Sequence, residues 1–243
     1  MTIDASKFQK IAVVTGAGIS APSGLPTFRG KDDSLWNDED FMNKSHINYI
    51  RSHVDHVDEM WGYWRPFREG LATVEPNPAH YALAIAGERQ QITIGTQNID
   101  GLHQKAGSHN VYELHGTLFE DKCLDECQEN EFGNWNVNAW PAGEHDACPE
   151  CGGPIRPNAV FFGEFLPQRV VAAVEKAVIE CDLFMMVGTS GIVYPVAGYV
   201  DVASKWGKPT LLVNDQEWDH PYPFTEKIFG DCAEILPELF GVN

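Results

Sequence analysis

Four short apolar runs recur along the chain, and each breaks off into glycine, an amide or a carboxylate. They are Ile11-Ala12-Val13-Val14-Thr15 before Gly16, Ile92-Thr93-Ile94 before Gly95, Leu183-Phe184-Met185-Met186-Val187 before Gly188, and Pro209-Thr210-Leu211-Leu212-Val213 before Asn214. Runs with this little polar alternation suit strands covered on both faces, as parallel strands are. Helix-like segments, Pro167 to Glu180 and Gly198 to Lys205, separate the later runs and give a β-α-β rhythm. The pattern predicts an α/β fold built on a doubly wound parallel sheet, where ligands bind beyond the carboxyl ends of the strands. The polar loops after the runs therefore stand where chemistry belongs.

The first of these loops, Gly16-Ala17-Gly18-Ile19-Ser20-Ala21, has the G-x-G-x-x-G/A spacing that brings main-chain N–H groups close to a pyrophosphate at a helix start. By itself the spacing fits an ordinary glycine turn as well. The second loop sets Gln97, Asn98 and Asp100 within four positions after a buried strand, where an inward-facing polar group needs a partner. A carboxamide such as that of nicotinamide supplies complementary donors and acceptors, while the plainer reading makes Asn98 and Asp100 turn formers beside Gly101. His115 closes the alternating run Val111-Tyr112-Glu113-Leu114 and precedes Gly116. Of the nine histidines it has the strand-end position, near the polar loop, that suits a general base.

The cysteines carry the strongest single signal. Cys123-x3-Cys127 and Cys148-x2-Cys151-Gly152-Gly153 form two knuckles separated by twenty residues, the pattern of a tetrahedral thiolate zinc site. Four thiolates leave no open coordination position, so the zinc ion holds structure and does not activate water. A nucleic-acid-binding zinc ribbon is the competing reading, but Gln128 to Ala147 contains no Lys or Arg. The formal net charge of −18 likewise argues against neutralising phosphates. It favours basic, lysine-rich protein segments as partners, or serves only solubility. Cys181 and Cys232 are left as buried thiols. No stretch reaches a membrane span, and Met1-Thr2-Ile3-Asp4 lacks the basic start and apolar run of a signal peptide, so a cytoplasmic protein is expected.

Between Asp32 and Glu69 the chain turns rich in Asp, His, Asn and Trp, with helical spacing in Ile50, Val54, Val57, Met60, Trp61 and Trp64. This reads as a helical insertion whose His46, His53 and His56 are solvated helix positions. Asn77-Pro78-Ala79-His80 then caps a new helix leading back to the second strand.

Taken together, GAGIS, SGLPTFRG, TQNIDGLH, ELHG, CPECGG followed by RP, FFGE, GTSGIVYP, LVND and GDCAEILPEL give a chain that resembles the sirtuins, the NAD-dependent protein-lysine deacylases, over nearly its whole length. The resemblance implies a Rossmann-type domain from about residues 1–34, 85–120 and 157–243. A small domain joins the insertion, about 35–84, to the zinc module, about 121–156. It implies NAD contacts from Gly16, Ala17, Gly18, Ile19 and Ser20, and a loop carrying Thr27, with Phe28 shielding the ribose C1′ and Arg29 near the phosphates. It makes Gln97, Asn98 and Ile99 ribose and pocket residues and Asp100 the reader of the nicotinamide amide. Gly188, Thr189, Ser190, Asn214, Asp215, Gln216 and Cys232 then meet the phosphates, the adenosine ribose and adenine. His115 becomes the catalytic base. Val160, Phe161, Gly163, Glu164, Val193 and Tyr194 hold the substrate backbone and wall the acyl-lysine tunnel.

Three departures accompany the resemblance. The first cysteine pair encloses three residues where the family usually has two, and Gln216 stands where many relatives carry glutamate. Members that prefer acidic acyl groups carry a Tyr-x-x-Arg pair that aligns with Gly62 and Arg65, so Arg65 either pairs with an acyl carboxylate alone or is an ordinary surface arginine, and the acyl preference is left open. The activity implied is transfer of the acyl group from lysine to ADP-ribose, giving nicotinamide, O-acyl-ADP-ribose and free lysine, by a monomer. An ADP-ribosyltransferase and a non-catalytic NAD or ADP-ribose sensor use the same binding residues, but binding alone needs no base at His115.

Overall fold

The computed structural model describes residues 3–27, 39–53, 55–127, 139–191, 194–217, 222 and 224–242. Phe28, Arg29, Val54 and Val193, named above, lie outside them.

The strands are β1 (Lys10–Thr15), β2 (Gln91–Thr96), β3 (Val111–Glu113), β4 (Gly116–Cys123), β5 (Trp140–Pro141), β6 (Ile155–Ala159), β7 (Leu183–Val187), β8 (Thr210–Asn214) and β9 (Glu226–Phe229). The helices are α1 (Glu39–Lys44), α2 (Ile47–Ser52), α3 (Asp55–Ala72), α4 (Pro78–Gly87), α5 (Leu102–Lys105), α6 (Gln168–Glu180), α7 (Val196–Lys205) and α8 (Cys232–Phe240). Six strands form one sheet in the order β3-β2-β1-β7-β8-β9, and every pairing in it is parallel. Numbered within the sheet, that is the 3-2-1-4-5-6 order of dinucleotide-binding folds.

Period two along these strands sends alternate residues into two separate cores. Ile11, Val13, Ile94, Met185, Val187, Leu211 and Val213 meet Leu83 of α4 and Leu236, Leu239 and Phe240 of α8. Ala12, Val14, Phe184, Met186 and Leu212 meet Val174 and Val178 of α6 and Tyr199 and Val200 of α7. Burial of each such side chain contributes about 1.5–3 kcal/mol, which is why the strands read as unbroken apolar runs. The cap of α4 forms as the sequence predicts: the Asn77 side chain accepts from Ala79 N at 2.9 Å, and Asn77 N donates to His80 Nδ1 at 3.3 Å.

A second sheet, antiparallel and ordered β5-β4-β6, carries the cysteine module. The helical insertion packs on it through Phe41, Ile47, Ile50, Met60, Trp64 and Leu71, which meet Leu118, Leu124 and Phe161. One indole fastens the join, Trp61 Nε1 donating to Ile155 O at 2.9 Å, and a second ties the insertion to itself, Trp64 Nε1 donating to Lys44 O at 2.8 Å.

Two details differ from the sequence reading. The run expected to carry His115 as one strand stops at Glu113; the chain turns at Gly116, φ 70, and continues as β4 in the other sheet. His115 thus stands at the corner between the two sheets. Edge strand β9 was not foreseen, because its half-buried residues alternate with exposed ones and it has no apolar run. Among the described residues no helix is long and apolar enough to cross a membrane.

Candidate active site

The strand order reverses between β1 and β7, and the two strand ends touch there. Gly16 N donates to Val187 O at 3.1 Å, and Gly18 N to Gly188 O at 2.8 Å. A Cβ on Gly18 would lie 2.7 Å from Gly188 Cα, and Gly188 itself has φ 59, so this close approach needs glycine on both sides. Beyond Gly16, where the glycine spacing suggested a helix start, the chain makes two single 3-10 turns, Ala17–Ile19 and Ala21–Ser23. Ile19 is fully buried and anchors the turn. Cys232, at the start of α8, directs its thiol to Gly18 O at 3.6 Å, tying the last helix to the glycine loop.

The loop after β2 turns its polar residues inward. The Ser20 hydroxyl donates to Asp100 Oδ2 at 2.7 Å, and Asn98 Nδ2 donates to Ser20 Oγ at 3.1 Å and to Gly16 O at 3.1 Å. Leu102 N donates to Asp100 Oδ1 at 3.0 Å. Burial pushes the Asp100 carboxyl up from its ordinary pKa, and these donors oppose the shift. Gln97 reaches across to the other half of the sheet, donating from Nε2 to Thr189 Oγ1 at 2.7 Å. Ser20, Asn98 and Asp100 line a cavity whose remaining walls include Leu25, Phe41, Trp64, Phe67 and Ile99. One polar cluster in an otherwise apolar cleft suits a flat heterocycle bearing an amide.

His115 lies beside this loop, with Nδ1 2.8 Å from the main-chain oxygen of Gln97. Burial lowers its pKa, and the hydrogen bond to Gln97 partly offsets that. His115 O accepts from Val160 N at 2.8 Å, so His115 and the start of the Val160-Phe161-Phe162-Gly163-Glu164 segment are directly joined. Phe162 bridges to His46, Gly163 has φ 87, and Glu164 Oε2 accepts from Phe161 N at 2.7 Å. Phe161 stacks on Trp64, 5.6 Å between ring centroids and 18° between planes, which links this segment to the cavity wall. Tyr194 is exposed. Asn214 ends β8 buried, while Asp215 and Gln216 are exposed beyond it; Thr189 is buried, and Thr27 and Ser190 are half-buried.

Arg65 is not brought to the cavity. It is exposed, and its guanidinium lies over the Trp61 ring, 5.5 Å from the centroid. One turn on, Arg68 pairs with the buried Asp121 at 2.5 Å. The α3 side chains that reach the cavity are Trp64, Phe67 and Leu71, so no cation from this helix lines it.

Sequence reasoning passed over a pair of histidines behind the loop. His103 Nε2 lies 2.9 Å from Thr15 Oγ1, and its ring meets that of His80 edge to face at 4.9 Å. Both are fully buried, and burial lowers both pKa values, that of His80 to about 4. Their positions at the last residue of TQNIDGLH and the third residue of α4 were the available signal.

The four cysteine Sγ atoms lie within 4.8 Å of one another, with Cys123 to Cys151 at 3.7 Å and Cys127 to Cys148 at 3.6 Å. A tetrahedron with Zn–S of about 2.3 Å has edges of about 3.8 Å, so the donor set fits one structural zinc ion. Among the described residues no other group of His, Cys, Asp or Glu converges in this way, and His46, His53 and His56 do not.

The model of the Sir2 family matches residues 16–195. An NAD-dependent protein deacylase 2 of Archaeoglobus fulgidus is 41% identical over 238 residues, 96% of this chain and 91% of that protein. An NAD-dependent protein deacylase of Ralstonia nicotianae is 40% identical over 211 residues, 86% and 81% of the two chains. Among solved structures, a Sir2 homologue bound to NAD superposes with a TM-score of 0.82 at 29% identity, covering 98% of this chain and 90% of the other. One described under the mechanism and regulation of Sir2 enzymes gives 0.79 at 35% identity, covering 98% and 94%. With the family model matching most of its length and relatives about 40% identical over most of both chains, this chain belongs to the Sir2 family.

Proposed function

We propose that the protein removes acyl groups from lysine side chains of proteins, using NAD as co-substrate and passing the acyl group to ADP-ribose. Bound NAD supplies the reactive ribose C1′ and the nicotinamide leaving group. This chain's residues do the rest. The glycine contact between β1 and β7 keeps side chains out of the junction between the two strand-end loops, where the phosphates bind. Asp100, with its carboxylate fixed by Ser20 and Leu102 N, is set to accept from the nicotinamide amide. The apolar walls exclude water from the reacting centre, and His115 takes the proton from a ribose hydroxyl.

The observation that carries this reading is the 2.8 Å contact between His115 Nδ1 and Gln97 O, because it gives the loop beside the Asp100 cluster a base of defined tautomer. A sensor that only binds NAD has no need of one. The peptide lies against Val160, Phe161, Gly163 and Glu164, with Tyr194 opposite. The outward turn of Arg65, whose guanidinium lies over Trp61, favours neutral acyl groups, acetyl over succinyl. The buried free thiols Cys181 and Cys232 suit a reducing compartment, so we place the protein in the cytoplasm.

Mass spectrometry of acetyl- and succinyl-lysine peptides, with and without NAD, while nicotinamide release is followed, tests the proposal. Expected are NAD-dependent deacylation matched by nicotinamide and a faster acetyl peptide. Nicotinamide release with labelled ADP-ribose on protein would replace it with transferase chemistry.

A further inference from the structure

The first cysteine knuckle holds one residue more than the second, and the added length is taken up by an unusual conformation. Among the described residues Glu126 is the one non-glycine with positive φ, at 54. The left-handed turn carries its carboxylate away from the cysteines and into the protein. There Glu126 Oε1 pairs with Arg51 of α2 at 2.7 Å and lies 3.8 Å from the guanidinium of Arg156 in β6. Arg51 also donates to Leu124 O at 2.7 Å, inside the same knuckle.

Arg156 is fully buried, an expensive place for a cation unless carboxylates and carbonyls surround it. Its second carboxylate is Glu164, with which it makes a close ion pair; it also donates to Ala159 O at 2.9 Å and lies over the Phe161 ring at 5.0 Å. Glu164 in turn holds Phe161 N, and Phe161 stacks on Trp64 of the cavity wall. Contacts therefore run without a break from the zinc knuckle to the peptide edge. Buried Lys122 adds a further positive charge to the cluster.

We propose that Glu126 is a positioning residue for the acyl-peptide site, holding Arg156 so that Arg156 and Glu164 fix the Phe161–Glu164 edge on which the peptide lies. Without the Glu126 carboxylate, Arg51 loses its ion pair and Glu164 alone is left to compensate Arg156 against the repulsion of Arg51. Arg156 then moves, and its hold on Glu164, and through it on Phe161 N, loosens. The inference deepens the deacylase reading and rests on its placement of the peptide.

Glu126→Gln and Glu126→Gly test it in the zinc-loaded protein. Glycine suits the left-handed backbone, so the second variant separates loss of charge from strain. The readouts are zinc content, affinity for an acetyl-lysine peptide by titration calorimetry, and steady-state kinetics. Expected are one zinc per chain, peptide Kd and KM raised about tenfold, the size of one buried charged contact, and kcat and the KM for NAD within about twofold. Unchanged peptide affinity with zinc retained would overturn the proposal. So would zinc loss, or a fall in kcat and both affinities together, since Glu126 would then merely hold the knuckle. If the parent binds the peptide but does not turn it over, the deacylase reading fails, while the affinity comparison still decides the role of Glu126.

Discussion

The Nδ1 of His115 lies 2.8 Å from the main-chain oxygen of Gln97. A carbonyl oxygen only accepts, so Nδ1 carries the proton and Nε2 is left as the basic nitrogen. The same Gln97 ties Thr189 across the sheet, so His115 and the loops after β2 and β7 share one residue. His115→Ala should therefore lower kcat by about 10²–10⁴-fold, the usual worth of a positioned base, while NAD affinity by calorimetry stays within about twofold. Full retained turnover would remove His115 from the mechanism.

Burial also sets where that base titrates. The charged imidazolium is disfavoured, so the pKa of His115 falls below the ordinary value of 6.5. A base with a lowered pKa stays deprotonated to lower pH, and the acid limb of kcat/KM should sit below 6.5. A pH–rate profile whose acid limb lies at 7 or above would contradict this.

His80 and His103 make stability pH-dependent apart from catalysis. Their folded pKa values are depressed, to about 4 for His80 from 6.5, so the unfolded chain takes up protons first as pH falls. Their contribution is complete above about 6.5 and is lost as pH drops toward 4, at up to about 1.4 kcal/mol per pH unit for each ring. Glu113 opposes them: burial raises its pKa from 4.5 to about 7, so its protonation favours the folded state over that window. The net slope mixes these three with His115, whose pKa burial also lowers, and Asp100, whose pKa it raises, so the informative quantity is a difference. His80→Gln should flatten the slope of unfolding free energy between pH 6.5 and 4.5 by about 1 kcal/mol per unit, whatever it costs in baseline stability. Denaturant melts at several pH values measure it.

The parallel sheet was legible because its strands are buried on both faces and leave unbroken apolar runs, and the cysteine spacing stated its own geometry. Edge strand β9 left no such run. The placement of His115 was legible only in part. Its neighbours Leu114 and Gly116 mark a strand end, but Gly116 also starts the second sheet, and that needs the long-range pairing of Gly116 with Ala159. The Arg51, Glu126, Arg156 and Glu164 network could not be read at all. Its members are spread over more than a hundred positions, and each alone looks like a surface charge.

Gly116 has a second constraint. At φ 70 an added Cβ would stand 1.9 Å from Asn158 O, a main-chain atom that cannot yield without moving β6. Gly116→Ala should cost at least about 3 kcal/mol, combining the strain of the left-handed backbone with the overlap, and should lower kcat more than tenfold because His115 is the adjacent residue. Gly107→Ala is the control: it also has positive φ, 97, but open space around it, so it should lose stability without selective loss of kcat. Thermal melts and steady-state rates on the pair separate the two effects.

Removing zinc tests how the small sheet is held. Two of its three strands are short, β5 with two residues and β6 with five, and Cys123, Cys148 and Ile155 form the small apolar cluster beneath them. Without the metal, four thiols remain close together with no other ion to organise them, and β4 and β6 lose the clamp at their far ends. Cys148→Ser, or a strong chelator, should lower the melting temperature by roughly 6–12 °C, equivalent to about 3 kcal/mol for a chain of this size. The loss should fall unevenly. Hydrogen exchange should quicken first in β4 and β6 and in the Phe161–Glu164 segment, reached through Glu126 and Arg156, while β1, β7 and β8 stay protected by the two cores of the large sheet. Uniform loss of protection across both sheets would mean instead that the zinc module and the parallel sheet unfold as one unit.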